Sequence, residues 1–316
     1  SRKGSMALAG LFLGISSLMA GASDNIFMYA AAVTIWGLHD AFSSGTGAAM
    51  IYDTLLEEQG HARNFNRALG LYETLGGIAL IISNFLGGWI GEHSLILAFN
   101  LTIIPIAISM VCHLIYKDAK ISREVADEKL IKHTKNTFKC VFKSKSLLWL
   151  MTAIMIVFCI QKMNREAYQL WYIALSAPAI AFGIAGSFIE GLGGLGGSLV
   201  KYLSSKRINI VLSILLGLAS LALSVGSNLW ITIAAQVLIA VVSGALLFHF
   251  TAQIQHQLPS RYRTGSGSVI NAVGRIVLMP LTFVFGVLSN QSVFIAGWML
   301  VVLSGLVLCV QLRRKE

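Results

Sequence analysis

The sequence predicts an all-α, polytopic membrane protein of about ten spanning helices, each roughly 20 residues long. Three observations carry that prediction. Apolar residues make up 56% of the 316 and charged residues only 12%, and the mean hydropathy is +0.74. A soluble domain carries about a quarter charged residues, so most of this surface must face something other than water. The apolar residues also gather in continuous runs rather than alternating, which excludes a spanning β-barrel and leaves helices. Finally, the basic residues gather on one side of the runs, as the positive-inside rule requires.

In order, the runs fall at about 6–23, 26–50, 69–91, 95–116, 146–164, 178–201, 208–226, 229–253, 266–288 and 292–312. Polar junctions such as Gly226-Ser227-Asn228 and Ser289-Asn290-Gln291 separate them. The fifth run meets a polar stretch, Gln161 to Gln169, at the end expected outside. One long connector, 117–145, mixes nine basic with four acidic residues and keeps scattered apolar positions. It reads as a cytoplasmic linker, either with amphipathic stretches against anionic lipid or as a solvated tether. The chain therefore divides into a four-span part (1–116), the linker (117–145) and a six-span part (146–316).

With Ser1 in the cytoplasm, every Lys and Arg except Lys162, Arg165 and Arg275 falls in a cytoplasmic segment. Both termini are thus expected inside, and the net charge of +10 reflects membrane topology rather than a nucleic-acid surface. Cys112, Cys140, Cys159 and Cys309 form no CxxC pair and read as free thiols, with no metal site expected. Gly191 to Gly196 formally matches G-x-G-x-x-G. It lacks the preceding strand and the later acidic residue of a dinucleotide site. Gly193 and Gly197 instead fit G-x-x-x-G, a close helix-packing motif. No Walker lysine appears, so no nucleotide or other cofactor is expected.

Four stretches resemble the major facilitator superfamily. Ser1-Arg2-Lys3-Gly4 looks like the end of its D-R-x-x-R-K loop. Gly45-Thr46-Gly47-Ala48-Ala49 resembles the fourth-helix G-x-G-x-A, followed by Tyr52-Asp53 and Leu55 as in bacterial efflux-type members. Asn84-Phe85-Leu86-Gly87-Gly88 resembles the fifth-helix G-P-x-x-G-G. Pro259 to Ser266 resembles the P-x-x-x-R-A-T-x-x-S stretch before the eleventh helix. The resemblance implies two six-helix halves, with the present spans as the third to twelfth and the first two missing. The chain departs from the pattern at Ala41, where the family has an arginine associated with proton coupling. Ser83 and Asn84 also stand where the antiporter motif has Gly-Pro.

Ionisable groups within spans cost about 2.5–3.5 kcal/mol at the helix centre, so each needs a reason. By helical rise Glu190 lies roughly 18 Å from the outer end of its span and Arg275 roughly 14 Å from the inner end of its own. In a core about 30 Å thick these depths nearly coincide, which predicts a pair. That pair is either exchanged for substrate or proton during a cycle or a permanent lock between helices. Asp40, beside His39, is either a desolvated proton carrier or a hydrated helix-end carboxylate. Asp53, Arg63, Arg67, Glu73, Arg261 and Arg263 are candidates for salt bridges at a cytoplasmic gate, against the default of solvated loop charges. Gly45, Gly87 and Gly88 join Gly193 and Gly197 as helix-packing candidates. Lone His113 and His249 read as structural more than as proton carriers. Tyr168, Trp171 and Tyr172 read as interfacial anchors or as part of an outer vestibule.

The resemblance implies a proton-coupled secondary transporter of a bacterial inner membrane, exporting small amphipathic or drug-like molecules. Its cavity would be lined by the spans at 26–50, 146–164 and 229–253. Uptake of a small polar solute is the alternative within the fold, and a non-transporting remnant or scaffold the alternative outside it. No HExxH, G-x-S-x-G or His/Cys cluster suggests an enzyme. The expected partners are the lipid bilayer, a small-molecule substrate and protons, with no nucleic acid. A monomer is the expected form.

Overall fold

The structure is a computed structural model that describes residues 2–43, 46–60, 64–117, 145–195, 206–257 and 260–313. All its regular elements among these residues are helices. Eight stretches are long and apolar enough to cross a membrane, with Leu95–Ile115 counted as one, and Ala179–Leu192 is a shorter apolar segment. The chain divides into two compact units, Ser1–Val125 and Ala126–Glu316. The predicted linker lies outside the described residues except for Lys117 and Lys145.

The first unit contains α1 (Arg2–Gly21), α2 (Ile26–Ser43), α3 (Thr46–Gln59), α4 (Phe65–Gly91), α5 (Leu95–Leu101) and α6 (Ile103–Ile115). Polar side chains start the helices where the junctions predict. Asn25 Oδ1 accepts from the Met28 amide at 2.9 Å, and Ser94 Oγ accepts from Leu97 at 3.2 Å. Each satisfies a donor that the first helical turn leaves open.

Over the span expected at 26–50 the described residues form α2, to Ser43, and α3, from Thr46 to Gln59, with 44–45 outside the described residues. The span at 95–116 breaks at Thr102 between α5 and α6. Pro105 explains this break, because it has no N–H to give to Leu101 and its ring crowds that carbonyl. The Thr102 hydroxyl and amide both turn back to the Phe99 carbonyl instead.

α1 packs against α2, α5 and α6. Small residues set that contact: Ala9 and Ala32 are fully buried, and Ser16 Oγ donates to the Ala32 carbonyl at 2.8 Å. Small side chains let helix backbones approach where lipid supplies no hydrophobic drive between helices.

The second unit contains α7 (Lys145–Ala174), α8 (Ala179–Leu195), α9 (Lys206–Val225), α10 (Leu229–Gln257), α11 (Ser260–Ser289) and α12 (Val293–Arg313). Asn228 caps α10, accepting from the Trp230 and Ile231 amides at 2.9 and 3.3 Å. α7 is the hub, touching α8, α10, α11 and α12. Its Ile154, Ile160, Trp171 and Tyr172 are fully buried with Leu246, Phe250 and Ile254 of α10.

α9 and α12 pair through small residues. The Ser220 and Ser304 hydroxyls meet at 3.1 Å. A Cβ on Gly297 would stand 2.8 Å from Ser224 Oγ and 3.3 Å from its Cα, so this approach requires glycine. The fifth predicted span is corrected: α7 does not stop near 164 but runs to Ala174 as 30 residues of helix. The polar stretch Gln161 to Gln169 is inside it. Within it Asn164, Arg165 and Tyr168 have partners on neighbouring helices, and Lys162 pairs with Glu166 of α7 itself.

Candidate functional site

The extension of α7 brings two charges together. Arg165 is nine residues before the end of α7, and Glu190 is eleven residues after the start of α8. The two ends are joined by a short turn, so by helical rise the charges lie about 14 and 16 Å from the same side. These lengths are about half of a hydrocarbon core about 30 Å thick. Arg165 Nε and Glu190 Oε1 form an ion pair. The carboxylate side chain is 18% exposed and the guanidinium side chain 47%. The carboxylate is thus the more enclosed member, and the cation keeps a face open to another ligand.

The partner expected for Glu190 was Arg275, and this is corrected. Arg275 is exposed on α11, whereas the ion pair joins Glu190 to Arg165. Equal depth is necessary for pairing, but the neighbouring helix and the direction around it decide the partner. α8 borders α7 and α10. Arg165 was hidden as a site residue because it read as a loop charge.

A row of amides and phenols continues the site along α7. Asn164, Tyr168 and Tyr172 are spaced by four residues and so share one face. All three engage Gln236 of α10. Asn164 Nδ2 donates to the Gln236 carbonyl at 3.1 Å, Gln236 Nε2 donates to the Tyr168 carbonyl at 3.3 Å, and the Tyr172 hydroxyl donates to Gln236 Oε1. Gln236 and Tyr172 are fully buried. Asn164 is 1% exposed, and its Oδ1 has no hydrogen-bond partner among the described residues.

The aromatic residues were expected at the interface or in a vestibule. Trp171 and Tyr172 are instead core residues with no exposed surface. The Trp171 indole donates to the Leu223 carbonyl at 3.0 Å. Its ring centroid lies 5.8 Å from that of Phe285.

A second polar cluster lies between α9 and α10. His249, 7% exposed, receives Asn209 Nδ2 at 3.1 Å and Gln253 Nε2 at 2.8 Å on its Nε2.

The other predicted residues are distributed as follows. Asp40 is half-buried on α2, and its neighbour His39 holds α2 to α1 through Nδ1 and the Ala9 carbonyl at 2.9 Å. Asp53 is half-buried on α3 and Arg67 exposed on α4. Glu73 lies on α4 and Arg261 and Arg263 on α11, with side chains outside the described residues, as is all of Arg63.

At Gly87, one of the packing candidates, a Cβ would meet no atom within 4 Å among the described residues. A motif locates a glycine along a helix but not the face that meets a neighbour. Gly88 lies on α4 and Gly193 on α8, while Gly45 and Gly197 fall outside the described residues. The close approaches lie elsewhere. A Cβ on Gly274 of α11 would stand 2.9 Å from the Phe158 ring of α7.

The fold is shared with solved transporters. The chain superposes on the crystal structure of a bacterial homolog to the human lysosomal transporter Spinster, in an inward-facing and unoccupied conformation. The TM-score is 0.72 at 11% identity, covering 98% of this chain and 82% of that one. It also superposes on a POT family transporter in complex with 5-aminolevulinic acid, with a TM-score of 0.70 at 13% identity. That match covers 100% of this chain and 82% of the other. Comparison with curated proteins finds no match. The sequence profile of the Major Facilitator Superfamily matches residues 1–282, and the chain belongs to that superfamily.

Proposed function

We propose that this chain is a proton-coupled secondary transporter in which Glu190 carries the proton and Arg165 is its counter-ion. Its family supports secondary transport across a membrane. The observation that carries the finer reading is the Arg165–Glu190 ion pair between α7 and α8. Protonation of Glu190 removes the charge that holds Arg165, so one proton changes both the ion pair and the ligand available to a substrate. A pair of this kind is a weak stabiliser compared with apolar packing, which favours a role beyond holding helices together.

Export of small amphipathic molecules is the direction we propose, on the efflux-type stretches around Gly45 and Tyr52. The one-sided Lys and Arg distribution supports cytoplasmic termini, and a bacterial inner membrane is the proposed location. The half-exposed guanidinium of Arg165 favours a second reading, uptake of a small polar solute that carries a carboxylate.

The test is transport in proteoliposomes with an imposed pH gradient, following proton flux with an internal pH dye. One arm offers a lipophilic cationic dye and the other small carboxylates. Dye movement driven by the gradient and lost in Glu190→Gln supports the export reading. Carboxylate-driven proton entry lost in the same variant supports uptake. No proton movement with either class removes the coupling role of Glu190.

A further inference from the structure

A cleft of about 310 Å³ runs between α7 and α11, with Leu303 of α12 at its floor. On α7 it is lined from Leu148 to Cys159 at positions i, i+3, i+4, i+7, i+8 and i+11, one continuous helical face. Val273, Val277 and Leu281 line the α11 side at intervals of four. Thr152 is the one polar side chain in the lining, and its hydroxyl is committed to the Leu148 carbonyl at 2.9 Å. The cleft therefore offers an occupant only the accepting side of one hydroxyl, too little to hold a sugar, an amino acid or another compact polar solute.

Its dimensions narrow the occupant further. Eleven residues of helix span about 16 Å, and an apolar slot of that length suits an extended hydrocarbon chain lying along the helix axes. Met151, Met155 and Cys159 supply soft, adaptable walls that suit a flexible chain. Leu148 and Val277 at the rim are each 39% exposed, which leaves the cleft open to entry.

The same face of α7 does not end apolar. Continued by three and then four residues beyond Cys159, it reaches Lys162 and Glu166. Lys162 Nζ and Glu166 Oε1 stand 3.9 Å apart, with side chains 26% and 56% exposed. A loose, accessible pair of opposite charges thus stands about one helical turn above an apolar slot.

We infer that the slot binds a single-chain amphiphile with a zwitterionic head. Its hydrocarbon chain lies along Leu148 to Cys159, its anionic group meets Lys162 and its cationic group meets Glu166. The inference rests on the transport reading in naming a substrate class, but the binding itself is measured without transport.

The test uses the full chain with Cys112, Cys140 and Cys309 replaced by Ser, in nanodiscs of phosphatidylcholine. The readouts are N-ethylmaleimide labelling of a Thr152→Cys variant, a position exposed in the cleft where Cys159 is buried, and the fluorescence that a Val277→Trp reporter adds to that of the six native tryptophans. Dodecylphosphocholine below its micellar concentration is expected to slow the labelling severalfold, whereas phosphocholine alone is not. A chain-brominated analogue is expected to quench the reporter. Met155→Trp, or Met155→Phe should the larger ring prevent folding, is expected to abolish quenching. Lys162→Gln with Glu166→Gln is expected to weaken it.

Equal protection by the head group alone overturns the proposal, as does absence of quenching. Slow labelling in bare discs that the amphiphile does not change gives the slot to a bilayer lipid and overturns it too. Loss of proton coupling in the transport assay with quenching intact would remove the reading of Glu190 and leave the slot standing.

Discussion

Glu190 of α8 and Arg165 of α7 meet as an ion pair in the middle of the second unit, although their positions are 25 residues apart in the chain. The short turn between the helices folds one back along the other, and nearly equal distances from that turn bring the charges to one level. Neutralising either partner leaves the other charged in a poorly hydrated place. Glu190→Gln is expected to abolish proton-coupled flux while the protein still inserts. Arg165→Gln is expected to impair flux similarly, and the double variant to melt higher than Arg165→Gln alone. The exchanged pair, Arg165→Glu with Glu190→Arg, is expected to recover thermal stability. The coupling between the two sites, from a double-mutant cycle, is expected on the order of 1 kcal/mol. Strict additivity would mean that the pair contributes nothing.

Gln236 serves three turns of α7 at once, through its carbonyl to Asn164, its amide nitrogen to Tyr168 and its amide oxygen to Tyr172. Gln236→Leu removes the side-chain share of this clamp and leaves the buried Tyr172 hydroxyl without its acceptor. A loss of roughly 1–3 kcal/mol is expected from that orphaned group. Adding Tyr172→Phe removes the orphan, so the double variant is expected to be more stable than Gln236→Leu alone. Thermal unfolding in detergent, followed by the fluorescence of buried Trp171, measures the difference.

Two glycines separate a packed position from an open one. A Cβ at Gly274 stands 2.9 Å from two atoms of the Phe158 ring, and Phe158 is 6% exposed in the core. Gly274→Ala is expected to cost about 1–3 kcal/mol, because the ring has little room to withdraw. Phe158→Leu is expected to relieve part of that cost. At Gly87 the same substitution meets nothing within 4 Å, and helix propensity favours alanine by up to about 1 kcal/mol. Equal melting points for the two alanine variants would contradict the assigned contact between α7 and α11.

The sequence showed where the chain is apolar more clearly than where its helices end. The run from Leu229 to Phe250 is legible because nearly every side chain is apolar, and Asn228 caps it as its residue type suggests. Gln161 to Gln169 was misleading for a physical reason. Asn164 is acceptable inside the unit because the Gln236 carbonyl meets it, and nothing local to α7 announces a partner 72 residues away. The charge pair failed in the same manner. Helical rise places Glu190 and Arg275 at similar depth, yet rise carries no information about which helices adjoin or which way a side chain turns. Trp171 and Tyr172 were read as interfacial because their types favour that zone. Their buried hydrogen bonds instead let them fill the core.

The break at Thr102 gives a last expected outcome. Pro105 cannot donate to Leu101, and the Thr102 amide and hydroxyl are drawn to the Phe99 carbonyl, so α5 and α6 are separate helices. Pro105→Ala restores the missing donor and removes the ring that crowds residue 101. The stretch Leu95 to Ile115 is then expected to form one continuous helix. Distances between spin labels at Leu97 and Ile108, both exposed, measure this directly. In a straight helix they are separated by eleven residues, about 16 Å along the axis. The variant is expected to narrow the distance distribution around that separation, while the parent stays displaced from it. Identical distributions would mean that packing of α5 and α6 against α1 imposes the break, not the proline. In that case Thr102→Ala, which removes the competing hydroxyl, should leave the distribution unchanged as well.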